Sequence, residues 1–277
     1  MKRDLYYTLA IGKLGRVHIN MPDKKKIIMW LINNSLPISI KSKESLVKYW
    51  RDGKTGWSNG LGELVELGKL RLVENNIDAA RNIFREGIEL LLANRPLDKT
   101  VHWELAYLGT GINIARPMAR REIFLLEKDN APFPKALKGM EILREWRLLL
   151  ISHIAEDLDR VRRYMERIEA DCSGIKFGDV GLPASIPGHV EWGYAIFGKR
   201  MVQGLIEQDV LLFERNMSLW SDLLLSRITR STSPFKLVGI ELIYLYDMAL
   251  GKGMMPKIDT PFIPKSIIEN GYWNKRS

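Results

Sequence analysis

Apolar side chains recur at steps of three and four residues through Leu72–Leu92. Ile77, Ala80, Ile83, Phe84, Gly87, Ile88 and Leu91 fall on one face of a helix, with Asp78, Arg81, Arg85 and Glu89 opposite. A preceding run, Leu61, Leu64, Val65, Gly68 and Leu72, keeps the same spacing until Glu74-Asn75-Asn76 interrupts it. Asn76 is placed to accept the first free N–H groups of the second helix, so the pattern predicts a helix, a tight turn and another helix.

The same pattern returns twice. Glu156-Asp157-Leu158 follows the apolar run Trp146–Ile154, and Gln208-Asp209-Val210 follows Trp192–Ile206. Each time a polar pair ends in Asn or Asp, an aliphatic residue follows, and an apolar-periodic helix continues. Asn76 to Asp157 is 81 residues and Asp157 to Asp209 is 52, so there is no fixed period. The expectation is an all-α fold: an irregular array of antiparallel helix pairs, a TPR-like helical assembly rather than a regular solenoid.

Around these pairs, Asp23–Asn34 reads as a helix that Leu36-Pro37 stops, and Ser42 caps a short helix through Trp50. Gly53, Gly56 and Gly60 mark a loop that divides a basic N-terminal subregion, residues 1–60, from a helical domain, residues 61–277. Asp98–Ala115 keeps helical spacing, and Pro117 and Pro134 are placed to open helices at Met118–Lys128 and Lys135–Ile154. Ser173–Gly188 is a long Gly- and Pro-bearing loop, in which Phe177 and Asp179 are candidate recognition residues. Pro234 is placed to open the last long helix, through Leu250, which Gly251 and Gly253 end. Pro261 and Pro264 then force an extended path that finishes in a short turn.

Charge changes the picture at one place. Of the net +9, residues 1–60 hold twelve Lys/Arg against four Asp/Glu, or +8, which leaves +1 for the rest. Lys24, Lys25, Lys26, Lys41, Lys43 and Lys48, with Trp57 and the nearby Trp30, Tyr49 and Trp50, form a basic and aromatic set suited to an acidic partner or a phosphate backbone. The plain alternative is a solvated helix surface. The single cysteine, Cys172, excludes an intrachain disulfide framework and a multi-cysteine zinc site. The longest apolar stretch, Leu237–Leu250, is interrupted by Glu241 and Asp247, which argues against a membrane span and for a cytoplasmic protein.

Catalytic chemistry finds little footing. Gly193-Tyr-Ala-Ile-Phe-Gly198-Lys199-Arg200 approaches a phosphate-binding loop, but Arg200 replaces the magnesium-binding hydroxyl and no strand precedes it; a helix with glycines at close contacts accounts for it better. His18, His102, His153 and His189 are scattered, and the spacings His153/Glu156 and His102/Glu104 lack further convergent ligands. The reading is of a non-enzyme, without cofactor, metal or small-molecule substrate.

Three stretches together carry a resemblance: Gly198–Leu224, Phe235–Met254 and the closing Met255–Ile268, with Asp259-Thr260-Pro261-Phe262-Ile263-Pro264 matching the form D-[ST]-P-[FY]-[IVL]-P. They resemble the C-terminal half of the Immunity 49 family of bacterial polymorphic-toxin immunity proteins. A related ending occurs in a group of immunity proteins against DNase toxins. The likeness spans roughly a hundred residues and more loosely the body from Leu61; it leaves residues 1–60 unmatched. It singles out Asp259, Pro261, Phe262 and Pro264, and implies a helical inhibitor that binds a cognate toxin and blocks its active site or substrate access. The competing expectation is a nucleic-acid-binding regulator acting through Lys24–Lys26, Lys41 and Lys43, with salt-sensitive affinity.

Overall fold

The computed structural model describes residues 21–53, 56–94, 103–128, 138–172 and 189–274. The chain is all-α, with helices packed as antiparallel pairs and no strand among the described residues. Helix α1, Met21–Trp30, runs through a π turn, Leu31–Ser35, into α2, Leu36–Arg51. There follow α3 Trp57–Val73, α4 Ile77–Asn94, α5 Trp103–Thr110, α6 Ile112–Lys128, α7 Lys138–Ile154, α8 Leu158–Cys172, α9 His189–Glu207, α10 Val210–Ser226, a 3-10 turn Pro234–Leu237, α11 Ile240–Gly251 and α12 Lys265–Asn270. The chain divides into two compact units, Met1–Lys24 with Ile123–Arg227 and Lys25–Glu122 with Ile228–Ser277.

The three recurrent turns are one structure built three times. Asn75, Glu156 and Gln208 adopt left-handed φ values of 67°, 59° and 57°. The next N–H then reaches back five residues: Asn76 to Arg71 (2.9 Å), Asp157 to Ser152 (3.0 Å) and Asp209 to Gly204 (2.9 Å). That closes the first helix with the double bond of a Schellman cap in the first two cases, where Asn75 also donates to Leu72 (2.9 Å) and Glu156 to His153 (3.1 Å). The Asx side chain at once opens the second helix, Asn76 accepting from Ala79 N–H (3.2 Å), Asp157 from Arg160 (3.1 Å) and Asp209 from Leu212 (2.9 Å). A cap of this kind contributes about 1 kcal/mol.

Prolines behave differently from the sequence expectation. Pro37 does not stop a helix: α1 and α2 form one continuous rod. Pro37 has no N–H for the Asn33 carbonyl and its ring presses against that group. The rod accommodates this by widening, and Leu36 N–H bonds instead to Leu31 five residues back, with Trp30 (φ −63°, ψ −43°) and Leu36 (φ −61°, ψ −49°) still right-handed helical. Burial of Leu31, Leu36, Ile40 and Val47 along the inner side favours keeping the rod intact. Nor does Pro117 open a helix. The break comes at Gly111, whose φ of +88° favours glycine, and Pro117 lies inside α6, on an exposed face where the Asn113 carbonyl it leaves unbonded can meet water. Pro234 opens only the 3-10 turn, because Val238 (φ −115°, ψ 119°) turns extended and Gly239 N–H bonds across to the Phe262 carbonyl at 2.9 Å.

In the unit holding Ile123–Arg227, α7 packs on α8 and α9, and α9 on α10. Trp146 meets Trp220 edge-on at 5.1 Å, and Tyr194 lies 5.6 Å from the same indole. Gly198 makes room for this: a Cβ there would run into the Trp146 ring, so the loop-like glycine spacing serves helix packing. Glu127 accepts from Arg160 Nε and Nη2 (3.0 and 3.1 Å) and from the Tyr164 hydroxyl (2.5 Å), and the Arg160 bonds hold its carboxyl below the usual range.

The other unit has a core of Leu36, Ile40, Val47, Leu64, Leu67 and Leu70. In the same unit Tyr107 and Tyr244 meet edge-on at 5.1 Å, and Tyr246 donates to the Ile268 carbonyl at 2.8 Å. One buried carboxylate gathers three successive N–H groups of the segment after α12. Asp247 Oδ1 accepts the successive N–H groups of Tyr272 (2.8 Å), Trp273 (2.9 Å) and Asn274 (3.0 Å). The Arg81 guanidinium covers the Tyr272 and Trp273 rings at 4.8 and 4.6 Å and donates to the Tyr272 carbonyl.

Candidate partner-binding surface

The basic set of the sequence divides once the rod is packed. The inner side of α2 rests on α3, and this brings Lys43 between Glu63 (2.6 Å) and Glu66 (2.7 Å). Burial works to lower the Lys43 pKa, but the hydrogen bonds to the two glutamates outweigh it and hold the ammonium above its ordinary value. Lys43 is therefore a structural cation that fastens α2 to α3. Arg51 does the same toward Glu86 with two bonds, 2.9 and 2.5 Å, which raise its pKa. Lys24 donates to the Ser226 carbonyl at 3.3 Å. Lys25, Lys26 and Lys41 are exposed, as is Lys48.

Trp57 begins α3. Trp50 turns inward, half-buried against the core and over Gly60, where a Cβ would strike its indole. Trp30 and Tyr49 stay largely exposed, and they share the rod with two aliphatic residues that the sequence reading passed over, Ile38 at 72% exposure and Leu46 at 43%. Their signal is present in the sequence as a second apolar set, at 38, 46 and 49, out of phase with the buried 36, 40 and 47. Asn34 Nδ2 donates to the Trp30 carbonyl at 3.0 Å, one turn back along the same rod.

Phe177, Asp179 and the rest of the Ser173–Gly188 loop lie outside the described residues. The motif singled out by resemblance performs a packing role. Phe262 has no exposure and Ile263 is buried beside it, while Asp259 and Pro261 face outward. Thr260 Oγ1 accepts from Phe262 N–H at 3.3 Å, and Pro264 is the N-cap residue of α12, whose first turn is joined by Asn75 Oδ1 accepting from Ser266 N–H (3.1 Å) and hydroxyl (2.7 Å). The motif thus anchors its segment against α11 and the α3/α4 turn. Among the described residues no group of three or more His, Cys, Asp or Glu is arranged to hold a metal ion, and no helix is long and apolar enough to cross a membrane.

Compared with known proteins, the chain matches no family model, no curated protein and no solved structure.

Proposed function

We propose that the chain is an immunity protein, a non-enzymatic inhibitor that binds a cognate bacterial toxin domain in the cytoplasm and occludes its active site or substrate access. The observation that carries the reading is the Met21–Arg51 rod, which presents Trp30, Ile38, Leu46 and Tyr49 outward while its other side is already packed. Large apolar side chains on a helix whose inner face is satisfied suit a protein partner. The Asp259–Pro264 segment adds support of a different kind: within its likeness to Immunity 49, Thr260, Phe262 and Ile263 are buried, so part of the likeness lies in packing. A scaffold of capped helix pairs loses little conformational freedom on docking. A nanomolar complex, about 12 kcal/mol, is within reach of an ordinary interface of about 1,600 Å² with a few buried anchors.

Nucleic-acid binding through the lysine set has less to draw on, because Lys43 is neutralised by two glutamates and Lys24 is spent on a backbone carbonyl.

The test is co-expression. The C-terminal domain encoded by the adjacent upstream reading frame is expressed alone and together with this chain. Killing by the domain alone, rescue by the pair, and a complex that survives nuclease and high salt are expected. A domain that kills equally with and without this chain overturns the reading.

A further inference from the structure

The outward side of the rod is a defined surface with its own chemistry. Leu36, Ile40 and Val47 point into the core. At 3.6 residues per turn, Ile38 and Tyr49 lie within about 20° of each other on the side away from Ile40 and Val47, and Leu46, about 80° round from Ile38, stands at the edge of that side. Trp30 and Asn34 continue the row toward the N-terminus across the π turn. From Trp30 to Tyr49 the row is about 28 Å long.

Its border is basic. Residues 21–51 hold seven Lys/Arg against two Asp/Glu, a net of +5. Lys41 and Lys48, two turns apart, run along one flank of the row, and Lys26 stands one turn before Trp30; all three are exposed. Glu44, three residues after Lys41 and four before Lys48, is taken by Arg71. Lys43 and Arg51 are matched within the fold by Glu63, Glu66 and Glu86.

We propose that this face is where the protein engages its partner, and that the partner supplies an apolar groove rimmed by carboxylates. The proposal rests on the immunity reading, so the groove belongs to the toxin domain. The rod lies in it as an amphipathic helix lies in a groove, with Ile38, Leu46, Tyr49 and Trp30 as the buried anchors. Lys41 and Lys48 pair with the acidic rim, steering encounter and fixing orientation along the rod.

The experiment measures binding of the full chain to the toxin domain from the upstream reading frame, by calorimetry and by association kinetics at two salt concentrations. Ile38→Asp with Leu46→Asp puts charge into the groove and is expected to weaken binding by 100-fold or more and abolish rescue. Lys41→Glu with Lys48→Glu is expected to slow association at least tenfold and flatten its salt dependence. Leu211→Asp, at an equally exposed apolar site elsewhere (76% exposure), is expected to bind as the parent does. Circular dichroism on each variant confirms that exposed substitutions leave the helices intact, and Ile38→Ser with Leu46→Ser provides a milder pair in which folding is not at issue.

If the parent protects and the Asp and Glu variants protect equally well, the surface is overturned and the immunity reading stands. If the parent neither binds nor protects, both fall. Concentration-dependent self-association removed by Ile38→Asp, or binding of a 20-base-pair duplex removed by Lys41→Glu with Lys48→Glu, each without effect on the toxin, assigns the face to a second copy or to nucleic acid and overturns the proposal.

Discussion

The Tyr107 hydroxyl donates to Asp247 Oδ2 at 2.6 Å, and neither residue has any exposed surface. Burial, and then the neighbouring carboxylate, push the Tyr107 hydroxyl well above its ordinary pKa, so it remains a donor at every accessible pH. With Oδ1 occupied by three backbone N–H groups and Oδ2 by Tyr107 and Asn274 Nδ2 (3.1 Å), both oxygens of this buried carboxylate are matched by donors. Asp247→Ala strands those donors and is expected to cost about 3–5 kcal/mol in urea unfolding. Tyr107→Phe removes one bond to a charged group, about 1.5–3 kcal/mol. Hydrogen exchange at Tyr272–Asn274 separates them: those amides lose protection in Asp247→Ala and keep it in Tyr107→Phe.

Glu145 predicts a pH dependence of opposite sign to most carboxylates. Burial raises its pKa, Arg167 at 3.5 Å only partly opposing, and its Oε2 has no hydrogen-bond partner. Between the unfolded value, about 4.3, and the higher folded one, the folded state binds more protons, so this group's contribution to stability falls as pH rises through that window. Glu145→Gln removes the cost. Its melting temperature is expected to exceed the parent's at pH 7, with the gain shrinking to nothing near pH 4. A variant less stable than the parent at pH 7 contradicts this.

The repeated turn predicts that two glycine substitutions at equivalent positions differ. A left-handed residue other than glycine costs about 1–2 kcal/mol, and the extra freedom of unfolded glycine returns about 0.5–1 kcal/mol of that. Gln208→Gly is therefore expected to stabilise by about 0.5–1 kcal/mol. Asn75→Gly also loses both bonds to Ser266, so it is expected to be neutral or destabilising by about 1 kcal/mol. Paired urea titrations decide it.

Gly198→Ala places a methyl group in the Trp146 indole, and both are fixed by packing. A loss of about 1–3 kcal/mol is expected in denaturant unfolding, as for an overpacked core.

The helix pairs were legible in the sequence because two local signals coincide there, the three-and-four periodicity and an Asn or Asp where a cap is required. The left-handed residue before the cap was signalled in the first turn, where it is Asn75, but not in the other two, since Glu156 and Gln208 are not residue types that announce it. Pro37 misled because its missing N–H and bulky ring ordinarily end a helix; that the rod widens instead depends on Leu31, Leu36, Ile40 and Val47 being buried along it, which is tertiary information. Lys43 looked like surface charge, for its glutamates lie some twenty residues further on and reach it only when α2 packs on α3. Ile38 and Leu46 were overlooked because periodicity sorts apolar residues onto one inward face and offers no place for a second. Asp247 was visible only as an interruption of an apolar run.

Ribosomal synthesis delivers the two units in unequal ways. In the first, Ile123–Arg227 is one contiguous stretch whose helices meet near neighbours in sequence, and with Met1–Lys24 made before it that unit can complete its packing while the chain is still growing. Lys25–Glu122 must wait for residues beyond Ile228: Tyr107 finds Asp247 140 positions later, and the Leu108 carbonyl is met by the Tyr272 hydroxyl across a separation of 164. Nascent Lys25–Glu122 therefore lacks these partners throughout translation of the intervening segment, and arrest before Tyr272 leaves that unit unsealed.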